Sequence, residues 1–153
     1  MAISHENIFF DYVLDPLRDL FIAEYSYGKI YIAPRILHKD PFTIRIWGSE
    51  TSTDQYVASA WQKQYDIQIA LYSIEKNPGE KYYQQFFKDA ERIYQLLFNN
   101  KAKSTTVNSV THVWIDGVCE GFIINEYEEE EEVVDGLNVA RFNFNCKVMR
   151  EDS

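Results

Sequence analysis

Five consecutive glutamates, Glu128, Glu129, Glu130, Glu131 and Glu132, form the densest set of ionisable groups in the sequence. Adjacent carboxylates repel one another and cannot be buried together, so the run reads first as a solvated hairpin tip. Two other readings stay open. One is a divalent cation, although the run lacks the spaced carboxylates and turn glycine of a calcium loop. The other is a negative surface repeated by oligomerisation, lining a channel or facing a neighbouring ring. A channel wall of that sign repels phosphate, so DNA would slide through it rather than stick.

The remaining reactive types are scattered. His5, His38 and His112 share no ligand spacing, and Cys119 and Cys146 match no zinc or redox motif. Both cysteines fall in strand-like segments, where reduced, buried thiols are expected. The sequence contains no phosphate loop, dinucleotide fingerprint, nucleophile elbow or paired-histidine motif. The reading is therefore a protein that is not an enzyme and has no catalytic residues, metal site or cofactor. A small hydrolase whose site assembles from distant acids is the enzymatic alternative.

The bulk properties narrow the partners. A chain of 153 residues favours one domain, residues 1–153, with enough core to dispense with disulfides. The net charge of −9 disfavours general binding to nucleic acid and docking on anionic membranes. Most of that charge lies in the C-terminal third. The first residues lack a basic start with an apolar run, and no stretch approaches the ~20 apolar residues of a membrane span. A cytoplasmic origin is expected. Aromatic residues reach 16%, with eleven Tyr and ten Phe. Such a surplus suits either an aromatic-rich sheet or contacts between chains.

The elements that must position these groups are legible in outline. A first helix around Ile8–Val13 is expected to break at Pro16, with Asp15-Pro16 starting a second that runs towards Gly28. Residues 29–33 form a short strand, and residues 42–47 alternate cleanly. Residues 48–54, small and polar, read as a loop. One long strand with a bend near residues 58–62 is expected over residues 56–72. Asn77-Pro78-Gly79-Glu80 reads as a capped helix start. The helix places Tyr83, Phe86, Phe87, Ala90, Ile93, Tyr94 and Leu97 on one stripe and ends at Asn99-Asn100. Strands then follow, with turns at Asp116-Gly117 and Asp135-Gly136. The expected fold class is α+β. It has a mainly antiparallel sheet, with a long amphipathic helix and the N-terminal helices packed on one face.

In this order of elements the chain resembles the tail terminator, or tail completion, proteins of tailed bacteriophages. The resemblance runs through the helical N-terminus, the strand at residues 42–47, the long strand ending in YDIQIALY, the helix from Pro78 and the closing strand RFNFNCKVMRE. It covers most of the chain and rests on no fixed motif. It implies an α+β subunit of a hexameric ring that caps the phage tail tube and joins it to the head connector. The location implied is the virion, after synthesis in the host cytoplasm. The partners implied are further copies of the chain, the tail tube protein and neck proteins, with DNA only as passing cargo. On this reading the five glutamates face the lumen or the adjacent ring. Arg45 and Trp47, off the apolar face of their strand, and Trp114, beside a turn, are the candidate intersubunit contacts. Another neck, head-completion or tube protein is an alternative, as is a small acidic adaptor that binds a protein partner.

Overall fold

The computed structural model describes residues 7–26, 28–32, 42–57, 60–125 and 136–151, with residues 53–57, 60–61 and 151 described by backbone alone. The fold is α+β: one curled six-stranded sheet and two α-helices, the first preceded by a π-helical turn. The strands are β1 (Lys29–Ile32), β2 (Phe42–Val57), β3 (Ala60–Ile74), β4 (Ser104–Val107), β5 (Val110–Ile124) and β6 (Leu137–Glu151). Their order across the sheet is β1-β2-β3-β6-β5-β4. The sheet is mixed, because β1 runs parallel to β2, while the other four pairings are antiparallel.

The N-terminal helix is not broken at Pro16. A π-helical turn, Phe9–Leu14, runs directly into α1 (Asp15–Glu24). The Asp15 N–H donates to Phe10 O, five residues back, immediately before the proline that has no N–H to donate. In an α-helix, residue 16 would bond the carbonyl of Tyr12. With proline there, that carbonyl instead accepts the indole N–H of Trp114 at 2.8 Å. The proline thus frees a backbone acceptor for a tertiary contact. The Tyr12 hydroxyl reaches the carbonyls of Val107 and Val110, at 3.2 and 3.0 Å, and so joins the N-terminal segment to β4 and β5.

Residues 48–54 are strand, not loop. They lie within β2, and the expected single strand over residues 56–72 is split between β2 and β3. Tyr56 pairs with Trp61 and Val57 with Ala60, so the chain reverses where a bend was expected. Period-two alternation carries across a short reversal, and a sequence pattern alone does not register it. Gly48 is required by close approach: an added Cβ would lie 2.3 Å from the Phe9 ring. The register shifts just after it, and the Ser49 hydroxyl bonds Asp66 O at 3.1 Å.

Asp116-Gly117 makes no hairpin turn either. It lies within β5, directly after a register shift between Trp114 and Asp116. The Gly117 N–H donates to Lys101 O, and an added Cβ would sit 2.9 Å from the Phe144 ring. The two-residue turn with positive φ is Asn108-Ser109, between β4 and β5. Gly136, at φ 78°, precedes β6, where a Cβ would meet Glu75 O. Asp135 lies outside the described residues.

The second helix, α2 (Glu80–Asn99), starts with Gly79 as cap rather than at Pro78. Its end is held by the Asn100 side chain, which donates to Leu96 O at 2.8 Å, with φ −116° rather than a left-handed value. Phe86, Ala90, Ile93 and Leu97 are buried. They share one core with Tyr12, Leu17 and Phe21, and with Ile44, Ile46, Ile67, Ile69, Phe142 and Phe144 of the sheet. Tyr83 and Phe87, expected on the same stripe, are exposed.

Candidate functional site

The five glutamates fall between the ends of β5 and β6, outside the described residues. What is described is the frame on either side of them. Asn125, in the left-handed conformation at φ 56°, accepts the Val139 N–H at its side-chain oxygen and donates its own N–H to Val139 O. Its amide also bonds Asn138, which reaches the Tyr82 hydroxyl, which in turn bonds Ser73. Asn138 and Ser73 are buried, so this chain of hydrogen bonds ties the β5–β6 connection to α2 and β3.

The three candidate contact residues occupy different places. Trp114 is 1% exposed and packs on Phe144 inside the helix-covered core. Arg45 is 3% exposed, with its guanidinium 4.1 Å from the centre of the Trp47 ring and 5.3 Å from that of Tyr72. Within one chain, both side chains already contact other parts of the same fold. Trp47 is partly exposed and packs on a second, smaller cluster of Ala70, Tyr72, Leu137 and Val139, on the face turned away from the helices.

Further along that face the side chains turn polar. Gln64, Asp116, Glu120, Asn143, Asn145 and Lys147, with Val118 and Gly121, line a hollow of about 400 Å³. The alternation of Asn143, Asn145 and Lys147 is visible in the sequence. The pairing that sets them beside Gln64, Asp116 and Glu120 is long-range and is not. Among the described residues, no three His, Cys, Asp or Glu side chains come together as a metal site. His112 is buried against the Tyr12 ring, with centroids 4.2 Å apart.

The cysteines are both unpaired as thiols, Cys146 buried and Cys119 half-buried. Burial pushes the Cys146 thiol far up, with nearby Asp116 adding to it. Burial raises Cys119 too, partly offset by a backbone hydrogen bond at Gly121. Thiols held protonated are poor nucleophiles and poor metal ligands at neutral pH.

The sheet margins are the other feature. β1 covers β2 only over residues 43–46, and β4 covers β5 only over residues 110–113. The backbone at residues 101 and 103 accepts hydrogen bonds from Gly117 and Trp114. Beyond these, β2 from Trp47 to Val57 and β5 from Val118 to Ile124 have no outer neighbour among the described residues. No helix among the described residues is long and apolar enough to cross a membrane. No protein-family model matches the chain, and no curated protein matches it.

Proposed function

We propose that this chain is the subunit of a structural ring of the tail terminator type, which caps a phage tail tube and joins it to the head connector while DNA passes through. The observation that carries the reading is the pair of sheet margins that have no outer neighbour among the described residues. They lie on opposite sides of one sheet and belong to different strands. A contact between unlike surfaces is head-to-tail, and when the rotation closes it makes a ring. The strand directions suit it: β2 is antiparallel to β3, β6 runs with β2, and β5 runs against it. A neighbour in the same orientation would therefore present its β5 antiparallel to β2, the arrangement that backbone pairing favours. The register shifts in both strands bend the margins, as a curved wall requires.

In this reading the partners are further copies of the chain, the tail tube protein and neck proteins. The five glutamates supply a negative surface at the lumen or the adjacent ring. The alternative, a small acidic adaptor that binds a protein partner, is favoured by the exposed aromatic residues of α2. Light scattering of the purified protein, alone and with tail tubes, separates the two. The expected result is a species about six times the 18.1 kDa chain mass, formed alone or at tube ends. A chain that stays below that mass and does not bind tube ends overturns the ring. Replacing the five Glu by Gln is expected to leave folding intact and to slow DNA delivery.

A further inference from the structure

The exposed side of α2 carries an order that folding of one chain does not explain. Tyr83, Phe87 and Phe98 are 38, 46 and 59% exposed, and Tyr94 is half-buried. Positions 83, 87, 94 and 98 fall on one stripe of an α-helix. That stripe runs beside the buried one of Phe86, Ala90, Ile93 and Leu97, and Tyr94 alone of its members also packs against the core. It also faces away from α1, which α2 meets through other positions. The Tyr25 hydroxyl, at the end of α1, donates to Asp89 O, and Arg92 pairs with Glu24.

Charges close the stripe at both ends. Exposed Glu80 opens the helix, and exposed Lys101 lies just past its end, with Nζ 4.5 Å from the centre of the Phe98 ring. From Glu80 through Tyr83, Phe87, Tyr94 and Phe98 to Lys101 the spacings are three, four, seven, four and three. They are the same read from either end, with an acid at one end and a base at the other. A two-fold axis at the middle of the helix would set Tyr83 against Phe98 of a second copy and Phe87 against Tyr94. Glu80 would then meet Lys101 twice. A surface that is complementary to itself under a two-fold operation is an isologous interface.

We infer that α2 docks antiparallel on α2 of a second copy of this chain through this stripe. The contact is independent of the ring proposed above. It closes at two copies, whereas sheet-margin contacts are head-to-tail, so it joins two free chains or two rings face to face. Four aromatics, each burying roughly 150–250 Å² when fully covered and here about half exposed, offer less than the ~800 Å² per partner of a standard interface. The dimer is therefore weak and concentration-dependent.

The test is light scattering across concentration on the full chain, with Glu80→Lys, Lys101→Glu and the double substitution. All three change exposed side chains, and melting curves check that each variant folds. Where rings form only at tube ends, wild type is expected to approach twice the 18.1 kDa chain mass as concentration rises; where rings form alone, it is expected to approach twice the mass of a ring. Each single substitution places like charges opposite each other and is expected to weaken the dimer roughly threefold to tenfold. The double substitution is expected to restore it, because only the antiparallel register pairs residue 80 with residue 101. Oxidising a Tyr83→Cys/Phe98→Cys variant is expected to give a covalent dimer for the same reason. A wild-type chain with no dimer at any concentration overturns the inference, as does a double variant no tighter than the singles. A six-fold species unchanged by Phe87→Glu also overturns it, and leaves the ring reading standing.

Discussion

The two faces of the sheet are built to different rules. Beneath the helices, buried side chains continue along β3 and β6, with Tyr65, Ile67, Ile69 and Leu71 on one and Ala140 to Val148 on the other, and Ile44, Ile46 and Trp114 join them from β2 and β5. On the opposite face the character changes part-way. One end holds Arg45, Ala70, Tyr72, Leu137 and Val139, all buried. The other end holds Gln64, Asn143, Asn145 and Lys147 around an open hollow. Antiparallel sheets commonly keep one face on the core and leave the other to solvent. Here stability is concentrated on the first face, so the second can carry polar groups whose removal costs the fold little. That contrast predicts how substitutions should divide.

The largest effect is expected at Trp114. Its side chain is fully buried, and its indole N–H is bonded to the carbonyl that Pro16 leaves free. Trp114→Ala removes the largest of the fully buried side chains and opens a cavity. The expected loss is about 3–5 kcal/mol, a large share of the ~5–15 kcal/mol that stabilises a typical domain. Urea unfolding measures it. A loss below about 1 kcal/mol would mean that the helix-covered face is not where stability is concentrated.

Trp114 also marks where the sequence stops being legible. Local patterns reported local facts: the strand at residues 29–32, the start of β2, α2 to within a few residues, and β6. They misplaced whatever depends on a distant partner. Residues 48–54 are polar and small, which is turn chemistry, yet they pair along β3 because β3 is held in turn by β6. Asp116-Gly117 has the composition of a hairpin turn, but Lys101 and Phe144 occupy its surroundings and keep it in the strand. Trp114 read as a candidate intersubunit contact because it stands beside that false turn. The polar hollow was half visible, in the alternation of Asn143, Asn145 and Lys147. Its other wall comes from β3 and β5, which only the tertiary register brings alongside.

A smaller effect separates the faces by pH. Tyr65, on the covered face, packs against Phe9 with the rings tilted at 60° and their centroids 4.7 Å apart. Burial pushes its phenol up from 10.0 to about 12, against a lowering hydrogen bond from Thr51. A folded pKa above the unfolded one means that the neutral phenol is favoured in the native state. The stability this contributes is complete below pH ~10 and is lost as pH rises towards ~12. Tyr65→Phe has no proton to lose. The difference in unfolding free energy between wild type and this variant is expected to move against wild type across that window. A difference that stays constant from pH 9 to 12 would mean that the Tyr65 hydroxyl is solvated, and that this part of the covered face is open.

The smallest effect is expected in the hollow. Asn145 pairs across the sheet with Asp66 and Val118, and its side chain lines the open polar end of the uncovered face. Its backbone keeps the sheet together whatever side chain it bears, so Asn145→Ala is expected to change stability by no more than ~0.5 kcal/mol. Glu120→Gln, exposed on the same wall, is expected to behave alike. These small values sharpen the contrast with Trp114, because both positions lie on strands that pair directly with β6 or belong to it. If Asn145→Ala instead cost 2 kcal/mol or more, its amide would be holding buried partners rather than lining a solvated hollow. The uncovered face would then be a second core, and the freedom to vary its polar groups would be lost.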